Sequence, residues 1–251
     1  MSKGVYPLSV IVITFNEERN IIACLESVSW AREIIVVDSF SADRTVELAK
    51  TFTDRVFQRE WMGYAASKEF ALGNVSNEWV FWIDADERVS GDLAKEIQDE
   101  ISCPADKCAY EMGRRAHFIG RWIKHSGWYP GYVVRLFRRT AASFTLARVH
   151  EKVNIRGPIG RLRTSLDHFT DENLFHYFWK LNRYTSLAAE EVSESQRIIF
   201  VYHLIFKPLY MFIKMYFFQF GFLDGMHGLV LSLLSSGHVF IKYAKMWERK
   251  L

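Results

Sequence analysis

The apolar run that opens the chain ends in Thr14-Phe15-Asn16-Glu17-Glu18, with no G-x-G-x-x-G and no G-x-x-x-x-G-K-[ST] after it. Those glycines let backbone approach a phosphate closely, so their absence argues against dinucleotide and P-loop chemistry. Cysteine is scarce: Cys24, Cys103 and Cys108 are odd in number, and the 103/108 pair has no second pair to complete a zinc site. This suits a reducing compartment better than a disulfide framework. The first residues, Met-Ser-Lys-Gly-Val-Tyr-Pro, lack the apolar stretch and small-residue cleavage site of a secretory signal, so a cytoplasmic location is expected. Repeats, low-complexity tracts and long linkers are lacking as well.

What is present is apolar and aromatic. Of 251 residues, 49% are hydrophobic and 16% aromatic, 20 of them Phe, enough for one large α/β domain with an appendage or two small domains. The net charge is only +3, but it is unevenly spread. Residues 1–100 hold 10 Lys/Arg against 18 Asp/Glu, and residues 101–251 hold 22 against 11. The basic half is therefore expected to meet an anionic partner. Nucleic acid is a poor candidate, because a greasy tail interrupts the basic residues; an acidic membrane or a phosphorylated glycolipid fits better.

Leu8–Ile13, Glu33–Val37 and Trp79–Ile83 are continuous apolar runs, expected to be strands buried on both faces, with a shorter strand near Arg55–Phe57. Helical patterns follow the first two, with Ile21, Ile22, Leu25 and Val28 on one face and then Val46, Leu48, Ala49 and Phe52, and another helix is expected over Ala65–Leu72. Such alternation predicts a mostly parallel sheet flanked by helices, with the ligand beyond the carboxyl ends of the strands. Three of those ends carry polar clusters, Thr14–Glu17, Asp38–Asp43 and Asp84–Glu87, and should converge on one edge.

Asp84 and Asp86 can offer oxygen ligands to one hard cation, Mg²⁺ or Mn²⁺, shared with a diphosphate. Such an ion neutralises charge growing on a departing nucleoside diphosphate. Asp38 can accept a hydrogen bond from a base N–H or a ribose hydroxyl, or else cap the next helix, a task Ser41 or Asp43 could also perform.

The segments Ser9–Glu17, Ile34–Asp43 and Trp82–Glu87 resemble inverting family 2 glycosyltransferases of GT-A (Rossmann-like) fold. Within that family the chain is similar to the lipopolysaccharide-core β-1,4-glucosyltransferase group, a likeness that extends to His125–Pro130, Arg135–Arg139, Val149–Glu151 and Phe222–Gly225. The resemblance implies that Thr14, Phe15 and Glu17 border the nucleoside, that Asp38 reads the base, uracil, and that Ala85 lies between two donor-site carboxylates. Lys68 falls where relatives often have a basic residue facing the donor. Glu69 departs from the Asn that many relatives carry next, which leaves a solvated helix lysine as the other reading of Lys68. The implied reaction moves a hexose, glucose, from a UDP-sugar to lipopolysaccharide inner core. Alternatives are a polyprenyl phosphate acceptor, or a non-catalytic membrane-associated protein that binds nucleotide sugars.

An inverting transfer needs a group to take the acceptor's proton. Glu151 is the first candidate and Glu87 its rival, while His150 is a candidate third metal ligand or phosphate contact. Arg135 and Arg138 can pair with phosphate oxygens, and with 134–138 extended the two lie on opposite faces. His125, Trp128 and Tyr129 resemble an acceptor loop. Residues 198–223 and 228–243 are apolar and aromatic but interrupted, falling short of the roughly 20 clean residues that a span requires. With Lys207 and Lys214 on one face, amphipathic helices lying on the inner face of the cytoplasmic membrane are expected, with lysines directed at headgroups. The chain thus reads as a donor half (1–100), an acceptor half (101–170) and a helical membrane-associating region (171–251); oligomeric state stays open.

Overall fold

The computed structural model describes residues 6–60, 64–102, 106–144, 153–171, 173–190 and 201–250. The chain divides into two compact units, one formed by residues 1–114 and 132–168, the other by residues 115–131 and 169–251.

The first unit opens with β1 (Tyr6–Thr14), α1 (Ile21–Ser27), β2 (Ala31–Asp38), α2 (Thr45–Ala49), β3 (Val56–Gln58), α3 (Tyr64–Asn74) and β4 (Trp79–Asp84). This is the alternation that the apolar runs predict. It continues through β5 (Glu87–Arg88), α4 (Gly91–Ser102) and β6 (Ala109–Met112). β7 (Arg114–Phe118) leads into the second unit, where β8 (Arg121–Trp122) follows. The chain returns to the first unit for β9 (Val133–Arg138), β10 (Ala142–Phe144), β11 (Val153–Ile155) and β12 (Ile159–Arg161).

The main sheet has the order β12-β6-β9-β4-β1-β2-β3. Every strand runs the same way except β9, which is antiparallel to both β4 and β6. Helices cover both faces. Leu8, Val10, Val12 and Phe81 pack under Ile21, Leu25, Leu93 and Ile97 on one side, and Ile11, Ile35, Val80 and Phe137 under Ala71 and Leu72 on the other. Burial on both faces explains why β1, β2 and β4 read as unbroken apolar runs. Ile22, expected inward with Ile21 and Leu25, is exposed on α1.

In the second unit, β13 (Leu166–Asp171, begun in the first) precedes α5 (Leu174–Glu190). Two π-helical turns, Tyr202–Phe206 and Lys214–Phe218, flank α6 (Lys207–Ile213), and a 3₁₀ turn, Gly221–Asp224, enters α7 (Gly225–Glu248). Its core is small: Phe118, Ile123, Met215 and Leu231, with Trp128 and Tyr177 packed against them. Among the described residues no single helix is long and apolar enough to cross a bilayer; Tyr202–Phe218 and Gly221–Glu248, bent by 70°, reach that length and composition only together. The expectation that Lys207 points at a headgroup needs correction. Lys207 Nζ donates to Tyr243 Oη at 2.8 Å, and Lys245 Nζ donates to Asn182, Thr185 and Ser186 on α5, so both serve internal contacts.

Candidate functional site

The register of the parallel strands brings the expected polar ends together. Thr14 lies opposite Asp38, and Ile13 opposite Asp84, so the ends of β1, β2 and β4 share one edge of the first unit. Parallel strands in register must deliver their following loops to the same place, which is why three separate sequence signals become one site.

The first two loops are stitched to each other. Asn16 N–H donates to Ser41 Oγ at 2.8 Å, Ala42 N–H to Asn16 Oδ1 at 2.8 Å, and Glu17 N–H to Thr45 Oγ1 at 2.8 Å. Glu17 also accepts from Asn20 Nδ2 at 2.9 Å, which commits its carboxylate to the start of α1. Asp38 is fully buried. It accepts from Ser41 N–H at 2.8 Å, from Ser41 Oγ, and from Gln58 Nε2 at 3.3 Å. It therefore shapes the loop from which any ligand contact would be made. The buried hydroxyls of Thr14 and Ser39 have no partner among the described residues, whereas Phe15 is exposed at the rim. Buried hydroxyls without partners are uncommon in folded proteins and mark a place where a ligand or water completes the bonding.

At the end of β4 the two aspartates part company. Asp84 Oδ1 accepts from Trp82 Nε1 at 3.2 Å and Oδ2 from Arg135 at 2.7 Å. Ala85 is buried in the core, so only its backbone can face a donor. Asp86 Oδ2 lies 3.3 Å from His168 Nε2, on the part of β13 that pairs with β5, and His168 Nδ1 is buried without a partner among the described residues. No motif in the sequence singles out His168; only the antiparallel pairing of His168 with Glu87 brings it beside Asp86.

Behind the aspartates sits a buried charge network. Glu87 is fully buried and accepts from Asp84 N–H at 3.0 Å and from Arg135 at 2.6 Å. Arg135, only 3% exposed, stacks on Trp82 at 4.1 Å from the ring centroid. The register of β9 against β4, Trp79 to Arg138 through Phe81 to Leu136, continues to Trp82 beside Arg135. On the other side Lys68 Nζ lies 3.4 Å from the same ring centroid, and Lys68 is buried on α3, so it is not a solvated helix lysine. Burial raises the Asp84 carboxyl, but Arg135 and then Lys68 outweigh it and hold the group well below the usual carboxylate range. Burial pushes Glu87 the other way, upward, and the neighbouring Asp84 charge adds to it. Glu87 is thus enclosed behind the motif, with its oxygens already in use.

Arg138 needs correction. It pairs with Glu78 and donates to Lys107 O at 3.1 Å over the Trp79 ring, at the amino end of β4, the opposite end from Asp84. It braces the sheet and faces no phosphate at this edge. His150 and Glu151 lie outside the described residues.

His125, Trp128 and Tyr129 belong to the second unit. Asp224, buried, accepts from His125 N–H at 2.9 Å and Lys124 N–H at 3.4 Å, and lies 3.1 Å from His125 Nδ1. Ser126 N–H donates to Gln219 O at 2.8 Å. Trp128 packs edge-on to Phe118, and Tyr129 edge-on to Trp122. The two segments noted separately in the sequence, His125–Pro130 and Phe222–Gly225, are one built structure.

The family described as Glycosyl transferase family 2 matches residues 9–163, which contain every strand end of this site. The chain belongs to glycosyltransferase family 2. The lipopolysaccharide core biosynthesis glycosyltransferase LpsC of Rhizobium meliloti is 32% identical over 250 residues, 97% of this chain and 93% of that protein. An uncharacterized glycosyltransferase of Rickettsia typhi is 29% identical over 265 residues, 97% of this chain and 88% of its own. These likenesses run past residue 163 and take in the second unit. Among solved structures, glucosyl-3-phosphoglycerate synthase from Mycobacterium tuberculosis superposes with a TM-score of 0.39 at 22% identity over 44% of each chain, too partial a likeness to bear on function.

Asp86 and His168 bring one oxygen and one nitrogen within 3.3 Å of each other, a donor pair that fits a divalent cation. Among the described residues no group of three or more His, Cys, Asp or Glu could hold a metal by itself. A shared site, not a closed protein cage, is what these residues fit.

Proposed function

We propose that this family 2 transferase is an inverting enzyme that moves glucose from a UDP-sugar to a membrane glycolipid, the inner core of lipopolysaccharide. The observation that carries the reading is the shared edge of Thr14, Asp38 and Asp84, with Asp86 and His168 3.3 Å apart beside it. The core-biosynthesis name of the Rhizobium meliloti relative supports the acceptor. Residues 1–100 do the donor work, 101–170 the acceptor work and 171–251 attach the protein to the inner face of the cytoplasmic membrane.

In the reaction the acceptor oxygen bonds to the anomeric carbon as the bond to the diphosphate oxygen breaks on the opposite face. Glu151 takes the acceptor proton, and UDP leaves with the bonding pair. Asp38, with the loop it organises, receives the base, and Thr14, Ser39 and Phe15 line the nucleoside. Asp86 and His168 would hold Mg²⁺ or Mn²⁺, which would supply neutralisation of negative charge on the diphosphate. Arg135 and Glu87 act through Asp84, fixing the strand end on which the site is built. His125, Trp128 and Tyr129 present the acceptor.

The test incubates purified protein with Mg²⁺ or Mn²⁺, a panel of labelled UDP-sugars, and either truncated lipopolysaccharide or polyprenyl phosphate. Transfer of glucose to lipopolysaccharide is expected. Transfer to the polyprenyl phosphate alone replaces the acceptor, and tight UDP binding without transfer to either overturns the reading.

A further inference from the structure

The second unit exposes far more large apolar side chains than the first: twenty-one of the twenty-six exposed large hydrophobics among the described residues. Six of them crowd into ten residues around the 70° bend: Phe217, Phe218, Phe220, Phe222, Leu223 and Met226, between 44% and 72% exposed. A contiguous exposed apolar patch of this density marks an interaction surface. The backbone adds a second observation. Phe220 sits at φ +57°, in the left-handed region where glycine or asparagine is the less costly residue, yet it carries a ring that is 55% exposed.

The bend is built, not loose. Gly221 has no room for a Cβ, which would lie 2.6 Å from Ser126 Oγ and 2.7 Å from Met215 O. Gly228 has still less, with Gly221 O only 1.9 Å from where its Cβ would be. Two glycines thus let α7 close tightly on the turn, while the carboxylate of Asp224 points inward to His125 and Lys124. Polar anchoring faces in and apolar side chains face out. The bases beside the bend are Lys214, three residues before Phe217, Arg121, whose Nη1 lies 3.8 Å from where a Gly225 Cβ would be, and Lys124, whose N–H reaches Asp224; Arg121 and Lys124 are exposed and Asp224 is buried, so the surroundings suit an anionic surface.

We propose that residues 217–226 form a membrane-inserting tip that enters one leaflet of an anionic phospholipid bilayer, and that Asp224 ties the loop 124–129 to that tip. The helices reach the bilayer at their bend and do not cross it. A bent pair of this kind meets the membrane as an interfacial element, its affinity set by buried apolar area and by attraction to acidic lipids. Resting on the acceptor role proposed above, the tip brings the acceptor loop to the level of the lipid headgroups, where the sugar of a membrane glycolipid lies.

The experiment is co-sedimentation of the full chain with vesicles of phosphatidylethanolamine and phosphatidylglycerol, and with pure phosphatidylcholine for comparison. The double variant Phe218→Glu/Met226→Glu changes two side chains that are 72% and 69% exposed. It should keep the near-UV spectrum and melting temperature of the parent and lose binding by about tenfold or more, as expected when two apolar groups must leave lipid as charges. Phe218→Leu/Met226→Leu should bind like the parent. Unchanged binding of the Glu variant overturns the tip, as does a Glu variant that alters only the oligomeric state. Transfer to a detergent-dispersed glycolipid is measured separately. Tip-dependent vesicle binding without such transfer overturns the proposed reaction and supports the tip; transfer with tip-independent binding overturns the tip alone.

Discussion

Replacing Arg135 by Met tests whether the site is held from behind. The guanidinium bridges Asp84 at 2.7 Å and Glu87 at 2.6 Å, itself 3% exposed against a Glu87 that is wholly buried. Removing one partner of such a pair leaves buried charge uncompensated, which costs about 3–5 kcal/mol. Methionine fills similar volume over Trp82, so lost packing contributes little. The penalty should depend on pH in a definite direction. Without Arg135 the already raised Glu87 rises further, so the folded state holds a proton that the unfolded state releases above its ordinary value of 4.5. Stability of the variant then falls as pH rises from there, by up to about 1.4 kcal/mol per pH unit until Glu87 ionises in the fold. Asp84 acts in the same sense. Its depressed value gives the parent a contribution present above 3.8 and lost as pH falls below it, and the variant forfeits most of that contribution. The difference between parent and variant, read by urea denaturation at several pH values, should be largest near neutrality and shrink toward pH 4.5. Adding Glu87→Gln should recover at least about 2 kcal/mol, since the second change removes the stranded charge and keeps an acceptor for Asp84 N–H. A penalty below about 1 kcal/mol, or simple additivity of the two substitutions, would refute the account.

Other substitutions test the remaining parts. Asp86→Ala should abolish metal-dependent transfer while leaving the melting temperature nearly unchanged, and retained activity removes the donor-site assignment. His168→Ala should weaken the response to Mn²⁺ by about 10–100-fold, read from a metal titration of transfer, with UDP-free stability little affected. For Glu151→Gln, UDP binding by calorimetry should be intact and turnover down by about 10²–10⁴-fold; near-normal turnover places the base elsewhere. Asp224→Ala leaves the His125 and Lys124 N–H groups without their buried acceptor, and should speed hydrogen exchange at those two amides while donor binding stays constant.

Much of the first unit is legible in sequence because its strands are buried on both faces. β1, β2 and β4 appear as unbroken β-branched and aromatic runs, and polar residues at their ends mark the edge. β9 is harder, since a strand that carries Arg135 and Arg138 does not read as core, and only its antiparallel register reveals that the two arginines serve opposite ends of β4. The distinction is long-range and no local pattern encodes it. His168 is illegible for the same reason: it lies 82 residues from its partner Asp86, in a short strand whose face is half-covered. In the second unit, by contrast, the aromatic density is plain, but which rings pack and which stay exposed depends on the bend at Phe220, which composition does not announce.

An Asp-x-Asp motif at a strand end invites the reading that both carboxylates hold one cation. The electrostatics here divide them. The charge of Asp84 is already neutralised by Arg135, with Lys68 close by and Trp82 donating to its other oxygen. A cation added there would have to compete with a buried guanidinium that cannot leave without stranding Glu87. Asp86 faces His168, a neighbour that can ligate a metal as readily as it can donate a proton. The charge a divalent ion gains most from is therefore that of Asp86, and Asp84 is better understood as the fixed post from which Asp86 is held out. This also accounts for Glu87. A carboxylate beside the motif is consumed in holding the arginine that holds the post.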